Sequence, residues 1–340
     1  MAHLKKKKIS IAAVAAYANV SKSSVSRCLA GKSGVSKQTS KKIRGAAKKF
    51  GYLKNIPLSK AMSFIRSGNV NEYETVALVN AKPIRDFSKR YSAISQYVPA
   101  AKKTAEKYGY AVCDIWLYEK NFNASKFEKL LFARGIRGGI VFGHYYKDSI
   151  PKEFQAAMMK LKFVSMGVKS NAPVRGSVFI DRFLIVKGYV EKIFKLGFSR
   201  IGFAIEKFAD KYEDGKFSGG FLEAQFESGK GDIIPPFYWG KSEGRNIIEL
   251  FEYCRKYKLD ALFSYSTDIS EALVETSNLG VKLFHYDERF ADKDTPRISN
   301  QKEVGREAIK MLSDILCDPY CEYSKTNSFE ISLNPKWRAQ

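Results

Sequence analysis

The chain has 340 residues, of which 45% are apolar, and it carries a formal net charge of +23. This length is too great for one ordinary hydrophobic core, so we expect a small domain together with a larger or bilobal one. No stretch approaches the roughly 18 consecutive apolar residues of a membrane-spanning helix, which argues against a helical membrane protein.

The positive charge is concentrated at the N-terminus. Residues 1–71 contain 16 of the 58 Lys and Arg residues and no Asp or Glu, and the first acidic residue is Glu72. Such a segment favours a polyanion such as nucleic acid as its partner. A general basic bias is the alternative, because the rest of the chain is also net positive.

Residues 5–18 read KKKKISIAAVAAYA, which imitates a secretory signal peptide. If that interpretation held, the remainder would be a secreted ligand-binding protein. The residues that follow decide between the two interpretations.

Three short helices are predicted before residue 51. The first covers 9–18 and the second 22–30, and Asn19 between them suits the left-handed backbone of a tight turn. Ser21 and Ser36 are good N-caps for the second and third helices. A capped, basic three-helix unit is typical of DNA-binding proteins and gives a secreted protein no advantage.

The second helix is predicted to have two faces. Its apolar face packs on the first helix, and the third helix closes a small core: Val14, Ala15, Val25, Cys28, Leu29, Ile43, Ala47 and Phe50. Its polar face points outward and consists of Lys22, Ser23, Ser26 and Arg27. In a helix-turn-helix, the first turn of this second helix reaches base edges in the major groove.

The segment SIAAVAAYANVSKSSVSRCLAGKSGVSKQTSKKIRGAAKKFGYLKN resembles the DNA-binding domain of the LacI/GalR regulators. It follows that family's pattern V-A-x-x-A-G-V-S-x-x-T-V-S-R-x-L-N, then V-S-x-x-T, then G-Y-x-P-N. Asn19 replaces the turn glycine, and the other departures are Ser24, Ala30 and Lys54. None of these departures removes the fold.

The resemblance implies which residues contact DNA. Lys22 and Ser23 take the two specificity positions, and Ser26 and Arg27 flank them. The remaining implied contacts are Ser21, Ser36, Thr39 and Asn55. The helix-turn-helix domain is therefore expected to span 1–55.

Residues 56–72 are expected to form a hinge linker. Pro57 suits the first turn of a helix, and apolar residues recur at helical spacing after it. In the family such hinges fold on DNA and wedge an apolar side chain into the minor groove, for which Leu58 and Met62 are the candidates. An ordinary linker helix is the alternative.

From residue 73 to 340, apolar runs alternate with amphipathic helices. Strands are predicted at 75–81, 110–117, 138–143, 163–167, 177–181, 200–206, 261–265 and 281–287. Helices are predicted at 92–109, 124–134, 151–161, 182–196, 215–228, 244–258 and 268–279. This alternation implies two parallel sheets, each with helices on both faces, and a seam after about residue 180.

This part resembles the periplasmic-binding-protein fold of LacI/GalR effector domains, in which the chain crosses between two lobes three times. The stretches that carry the resemblance are LLFARGIRGGIVFG, FIDRFLIVKGYVEKIFKLGFSRIGF, NQKEVGREAIKMLSDIL and the closing NPKWRAQ. The whole chain is thus expected to be an α/β protein: a three-helix domain followed by a bilobal effector-binding and dimerisation domain.

Open α/β sheets bind ligands beyond the carboxyl ends of their strands. We therefore expect a small-molecule cleft between the lobes, lined by Arg85, Tyr91, His144, Lys216, Tyr238, Trp239, Asp268 and Asp287. Lys216 stands where the family usually has arginine, and Thr267 precedes Asp268 where asparagine is usual. Lysine offers a point charge rather than a bidentate fork, so we expect a departure from the usual ligand.

Other functional classes find little support. The two GKS triplets lack the glycine of a Walker loop, and the histidines are isolated, so neither an enzyme nor a metal or cofactor site is predicted. The five cysteines contain no CxxC pair and are expected to be reduced thiols in a cytoplasmic protein.

The sequence predicts a repressor that binds a pseudo-palindromic operator as a homodimer and senses a small molecule, with a sugar as one candidate. A solute-binding protein without DNA function is the alternative.

We predict that Lys22→Ala or Ser23→Ala changes the preferred operator sequence. Loss of a base-edge contact should cost roughly 1–3 kcal/mol at particular base pairs. Lys41→Ala is the control. If Lys41 contacts a phosphate, its loss weakens binding to all sequences alike, and if Lys41 faces only solvent, its loss has no effect. Binding to a randomised operator library measures both effects, and an unchanged preference in both test variants would remove these residues from base recognition.

Overall fold

The computed structural model describes residues 11–29, 34–50, 74–86, 92–144, 150–170, 173–229, 231–240, 243–275, 280–318 and 329–338. The chain divides into two compact units, Met1–Glu72 with Ser313–Glu322 and Tyr73–Leu312 with Tyr323–Gln340. Each unit is described by itself. The predicted hinge 56–72 and the candidate residues Asn55, Leu58, Met62 and Tyr91 lie outside the described residues.

The smaller unit contains the three expected helices, α1 (Ile11–Ala18), α2 (Lys22–Leu29) and α3 (Lys37–Phe50). Asn19 has a φ of 51°, as the turn between α1 and α2 requires. The backbone N–H of Ser24 donates to Ser21 Oγ at 3.1 Å, and that of Thr39 donates to Ser36 Oγ at 3.1 Å. Both serines therefore cap the helices that they precede.

The three helices share one apolar core. Its buried residues are Val14, Ala15, Val25, Cys28, Leu29, Ile43, Ala46 and Ala47. Phe50, predicted to close this core, is half-buried, and its ring meets the ring of Tyr17 edge-on at 5.1 Å.

The larger unit alternates strands and helices. The strands are β1 (Glu74–Asn80), β2 (Tyr110–Trp116), β3 (Gly138–Phe142), β4 (Lys162–Met166), β5 (Gly176–Ile180), β6 (Ile201–Glu206), β7 (Phe237–Trp239), β8 (Ala261–Ser264), β9 (Lys282–His285) and β10 (Phe329–Leu333). The helices are α4 (Ser92–Lys107), α5 (Ala124–Ala133), α6 (Lys152–Met159), α7 (Arg182–Lys195), α8 (Lys207–Tyr212), α9 (Lys216–Ser228), α10 (Glu243–Lys256), α11 (Thr267–Glu275) and α12 (Gln301–Cys317). The expected α/β alternation is confirmed. Of these elements, β7, β10, α8 and α12 were not predicted.

The strands form two sheets in which every described pairing is parallel. The first sheet has the order β10-β5-β4-β3-β1-β2, and the second has the order β7-β6-β8-β9. We call the part of the unit around the six-stranded sheet the first lobe and the part around the four-stranded sheet the second lobe. Parallel pairing gives every strand in a sheet the same direction, so all carboxyl ends lie at one edge.

The chain crosses between the lobes three times, as expected. It leaves the first sheet after β5, and α7 then packs on α9 of the second lobe. It returns after β9 to form α12, whose Gly305 lies against the backbone of Tyr97 in α4. After β10 it goes back to the second lobe, where the Trp337 ring lies 5.0 Å from the ring of Tyr189.

The contact between α7 and α9 depends on a glycine. A Cβ added at Gly220 would lie 2.3 Å from the carbonyl oxygen of Phe183, whereas a Cβ at the neighbouring Gly219 would lie at an ordinary 3.5 Å from the Phe183 ring. Backbone atoms cannot move aside as a side chain can, so only Gly220 must remain without a side chain.

We predict that Gly220→Ala lowers the free energy of unfolding by about 1–3 kcal/mol because it overpacks this contact. Gly219→Ala is the matched control in the same helix, and it should be neutral or stabilise by up to about 1 kcal/mol through helix propensity. Urea unfolding followed by tryptophan fluorescence measures this, since all three tryptophans lie in the larger unit. Equal stabilities of the two variants would contradict the packing argument.

Candidate functional site

The carboxyl edges of the two sheets face each other and enclose a cavity of about 290 Å³. Its polar and aromatic lining comes from loops that follow β1, β3, β4 and β5 in the first lobe and β6, β8 and β9 in the second, and from helices α4 and α12. These residues are Lys82, Tyr97, His144, Arg182, Glu206, Tyr265, Ser266, Thr267, Asp268, Tyr286 and Gln301. The location is the one that parallel α/β sheets favour for ligands.

Two glycines shape the wall of the first lobe. Gly143 follows β3 with a φ of 80°, and Gly167 follows β4 with a φ of 97°. A Cβ at Gly167 would lie 3.0 Å from the ring of Tyr97, which also lines the cavity. Glycine therefore lets the backbone turn sharply and bring these loops close to the aromatic ring.

The second lobe contributes an aromatic wall. The rings of Tyr265 and Tyr286 stack with centroids 4.3 Å apart and an interplanar angle of 21°. Gln301 of α12 donates from Nε2 to the Tyr286 hydroxyl at 2.9 Å, which holds the ring in place. An aromatic surface beside polar groups suits a ligand that has both apolar faces and hydroxyl groups.

A buried ion pair lies where the chain leaves the first lobe. Arg182 donates to the carbonyl oxygen of Gly167 at 2.6 Å, and its Nε lies 3.7 Å from Oε1 of Glu213. Burial raises the pKa of Glu213, while the charges of Arg182 and Lys216 oppose that shift. Arg182 thus connects the loop after β4 in the first lobe to the loop after α8 in the second.

A second charged cluster holds the start of α11. Thr267, which lines the cavity, donates to Oδ2 of Asp287 at 2.8 Å, and Arg289 donates to the same oxygen at 2.7 Å. Burial alone would raise the pKa of Asp287, but the hydrogen bonds from Arg289 and Thr267 lower it. Asp287 therefore stays ionised behind the cavity wall and fixes Thr267.

His144 lies in the cavity wall and is almost fully buried. Its Nε2 lies 3.0 Å from Oγ of Ser165, a residue of β4. Burial lowers the pKa of His144 to about 4, so the ring is neutral at physiological pH.

Some of the predicted ligand residues line the cavity and others do not. His144 and Asp268 line the cavity, and Asp287 lies directly behind it. Arg85 is an exposed residue 4.0 Å from Glu119, and its guanidinium lies over the Trp116 ring.

The other predicted ligand residues are not among those that line the cavity. Trp239 is buried in the core of the second lobe, and Tyr238 donates to Asp210 at 3.1 Å. Lys216 begins α9, with its ammonium 5.5 Å from the Phe179 ring centroid. The strand that carries Tyr238 and Trp239 is the edge strand β7, away from the middle of the sheet.

Several cavity residues were not predicted. Arg182, Glu206, Tyr265 and Tyr286 stand at or directly after strand ends, and a strict application of the strand-end rule would have found them. Tyr97 and Gln301 lie on helices, and nothing in the sequence separates them from other helical residues that face the core.

The second candidate surface belongs to the smaller unit. Lys22, Ser23, Ser26 and Arg27 are all exposed on one side of α2, as predicted. The hydroxyls of Ser21 and Ser23 are 2.8 Å apart, so the cap residue orients one of the candidate base-reading side chains. Lys49 of α3 donates to the Tyr17 hydroxyl of α1 at 2.7 Å. Helices α1, α2 and α3 contain no acidic residue that could oppose a phosphate backbone.

The comparisons with known proteins identify this smaller unit. Residues 10–55 match the family described as "Bacterial regulatory proteins, lacI family". These residues are a LacI-family helix-turn-helix domain. The LacI-type domain thus accounts for the capped helices, the Asn19 turn and the exposed polar face of α2.

Solved structures show the same fold over almost the whole chain. A transcriptional regulator CelR–cellobiose complex has a TM-score of 0.58 at 17% identity and covers 97% of this chain and 98% of its own. A lac repressor dimer bound to operator and the anti-inducer ONPF has a TM-score of 0.50 at 16% identity, with the same coverage of both chains.

A LacI-family regulatory protein from Chloroflexus aggregans has a TM-score of 0.56 at 14% identity and covers 78% of this chain and 97% of its own. The expected bilobal fold beside the LacI-type domain is thereby confirmed. No curated protein matches the chain in sequence.

The described residues contain neither a membrane-spanning helix nor a cluster of metal-ligating side chains. None of their helices is long and apolar enough to cross a membrane. Within the same residues, no three His, Cys, Asp or Glu side chains lie together as a metal site would need.

We predict that the buried imidazole of His144 makes the larger unit sensitive to acid. Its pKa is about 4 in the folded protein against 6.5 for an exposed histidine, so between these values only the unfolded chain takes up the proton. Stability therefore falls as the pH drops from about 6.5 to 4. His144→Phe should reduce the loss between pH 7 and pH 4.5 by about 2–3 kcal/mol. Urea unfolding at the two pH values measures this, and an unchanged difference would contradict the prediction.

Proposed function

We propose that the protein is a DNA-binding transcription regulator, a repressor that binds a pseudo-palindromic operator as a homodimer and responds to a small molecule. The observation that carries this proposal is the union in one chain of a LacI-family helix-turn-helix domain and a two-lobed fold with a cavity at its seam. It acts where the DNA is, in the cytoplasm, and it is not an enzyme.

The DNA-binding part of the proposal rests on the exposed face of α2. An eight-residue helix is about 12 Å long, which matches the width of the major groove. One such helix contacts few base pairs, so useful specificity requires two half-sites and hence two copies of the chain. By this argument Lys22, Ser23, Ser26 and Arg27 contact base edges and flanking phosphates, and Ser21, Ser36 and Thr39 contact phosphates.

The ligand-binding part rests on the cavity. Its size, stacked tyrosines and converging polar side chains suit a small hydroxylated molecule, and a sugar is our first candidate. One neighbour in fold is a cellobiose complex, which supports testing disaccharides. We propose His144, Asp268, Arg182 and Glu206 as the polar contacts. A solute-binding protein without DNA function would leave residues 10–55 unexplained.

The proposal is tested by selecting binding sites from random DNA with the full-length protein. We expect sites with two-fold symmetry, and an affinity that falls steeply with salt because residues 1–71 carry only positive charge. Selected sites without two-fold symmetry, or an affinity independent of salt, would argue against the proposal.

The operator selected in this way also tests whether a small molecule regulates DNA binding. Mono- and disaccharides are titrated into the protein–operator complex, and at least one should change operator affinity by roughly 5- to 150-fold. Asp268→Asn should lose this response while keeping the affinity without sugar. Asp232→Asn, an exposed residue of the same lobe outside the cavity lining, is the control and should respond normally. A normal response from Asp268→Asn would place the ligand elsewhere.

A further inference from the structure

Two histidines of the larger unit are buried and neutral, but only His144 has a ring nitrogen that is both fully buried and without a hydrogen-bond partner among the described residues. His144 is 3% exposed and His285 is 4% exposed, and burial lowers the pKa of each to about 4. Nδ1 of His144 is buried and has no hydrogen-bond partner among the described residues. Buried polar atoms usually have a hydrogen-bond partner, and because His144 lines the cavity, a bound ligand can supply the partner of Nδ1.

The hydrogen bonds around His144 decide which of its nitrogens carries the proton. Ser165 Oγ donates its single proton to the carbonyl oxygen of Val168 at 2.7 Å, and a carbonyl can only accept. The contact between Ser165 Oγ and His144 Nε2 at 3.0 Å must therefore be a bond that Nε2 donates. A neutral imidazole has one N–H, so Nδ1 of His144 carries no proton and can only accept a hydrogen bond.

The same reasoning gives His285 the opposite tautomer. Ser264 Oγ donates to the carbonyl oxygen of Ser266 at 3.2 Å, and Ser270 Oγ donates to Ser264 Oγ at 3.3 Å. Both serine protons are then used, so His285 Nδ1 must donate to Ser270 Oγ at 2.9 Å. His285 does not line the cavity and therefore serves as an internal control.

The neighbouring groups extend the acceptor character of the cavity. The carboxylates of Asp268 and Glu206 can only accept when ionised, and Glu206 already receives one bond, from Ser266 at 2.5 Å. The guanidinium of Arg182 already donates to Gly167 and lies beside Glu213. The lining also holds donors, among them the ammonium of Lys82, so a ligand that satisfies it must supply donors to His144 Nδ1 and the carboxylates and acceptors to the other groups.

We propose, building on the regulator function above, that His144 determines ligand specificity by accepting a hydrogen bond at Nδ1 from a ligand hydroxyl. The site then takes an uncharged, polyhydroxylated molecule. A phosphate or carboxylate in the same place would turn oxygen lone pairs toward the lone pair of Nδ1, which is repulsive in a dry site. Ser165 is a positioning residue, because its bond to Val168 fixes the tautomer of His144.

The tautomers can be measured without any ligand. In the full-length protein with ¹⁵N-labelled histidine, long-range ¹H–¹⁵N spectra at neutral pH distinguish protonated from unprotonated ring nitrogens. We expect His144 to be protonated at Nε2 only and His285 at Nδ1 only, with His144→Phe assigning the His144 signals. A His144 ring protonated at Nδ1, or on both nitrogens, would overturn the proposal.

Recognition is measured by calorimetry with glucose and cellobiose, each beside its phosphorylated form, and gluconate. An uncharged sugar should bind the wild type more tightly than its phosphorylated form does. His144→Phe should weaken sugar binding about tenfold, the effect of one lost hydrogen bond in a dry site. Ser165→Ala frees the ring to protonate Nδ1, so it should narrow the preference for the uncharged form over the phosphorylated one.

The ligand class is wrong if no uncharged sugar binds or if a charged form binds more tightly. The role of His144 is wrong if His144→Phe and Ser165→Ala bind the panel as the wild type does. Operator binding without sugar, measured on the same preparations, separates these outcomes from failure of the regulator function. That function fails if no preparation binds a symmetric site, whatever the sugars do.

Discussion

The buried guanidinium of Arg182 connects the two lobes at the place where the chain first crosses between them. It donates to a backbone carbonyl of the first lobe and lies beside the buried carboxylate of Glu213 in the second. A buried charge is costly unless an opposite charge lies near it, and Arg182 and Glu213 face each other at 3.7 Å only while the two lobes keep their facing arrangement. The cavity is the space that this arrangement encloses, and its lining residues depend on it.

Around that contact, hydroxyl groups in the cavity wall and behind it fix the orientation of neighbouring polar groups. Ser165 donates its hydroxyl proton to the carbonyl oxygen of Val168, so Nε2 of the neighbouring His144 must donate to Ser165 Oγ. Thr267 is held by Asp287, which Arg289 keeps ionised. Such satisfied networks fix the orientation of the groups that face a ligand, which is how a small number of polar contacts can discriminate between similar molecules.

The LacI-type domain depends on other groups than the cavity does. Ser21 and Ser36 cap the helices that follow them, and the absence of acidic residues from α1, α2 and α3 makes the outer surface of these helices attractive to phosphates. Phosphate attraction supplies affinity that is independent of sequence, whereas we propose that the few side chains on the exposed face of α2 supply the discrimination. The regulator proposed here therefore separates the reading of DNA from the recognition of a ligand, and each depends on its own set of hydrogen bonds.

The sequence by itself determined the local structure and the order of the parts. Caps, the Asn19 turn, strand periodicity and the seam near residue 180 all follow from interactions between near neighbours in the chain, so they were predictable. Only the tertiary structure decided which strand ends meet. It put Trp239, on the edge strand β7, into the core of the second lobe, returned β10 to the first sheet, and brought Tyr97 and Gln301 from helices into the cavity. These placements depend on contacts between residues far apart in sequence, and no local pattern of side chains encodes them.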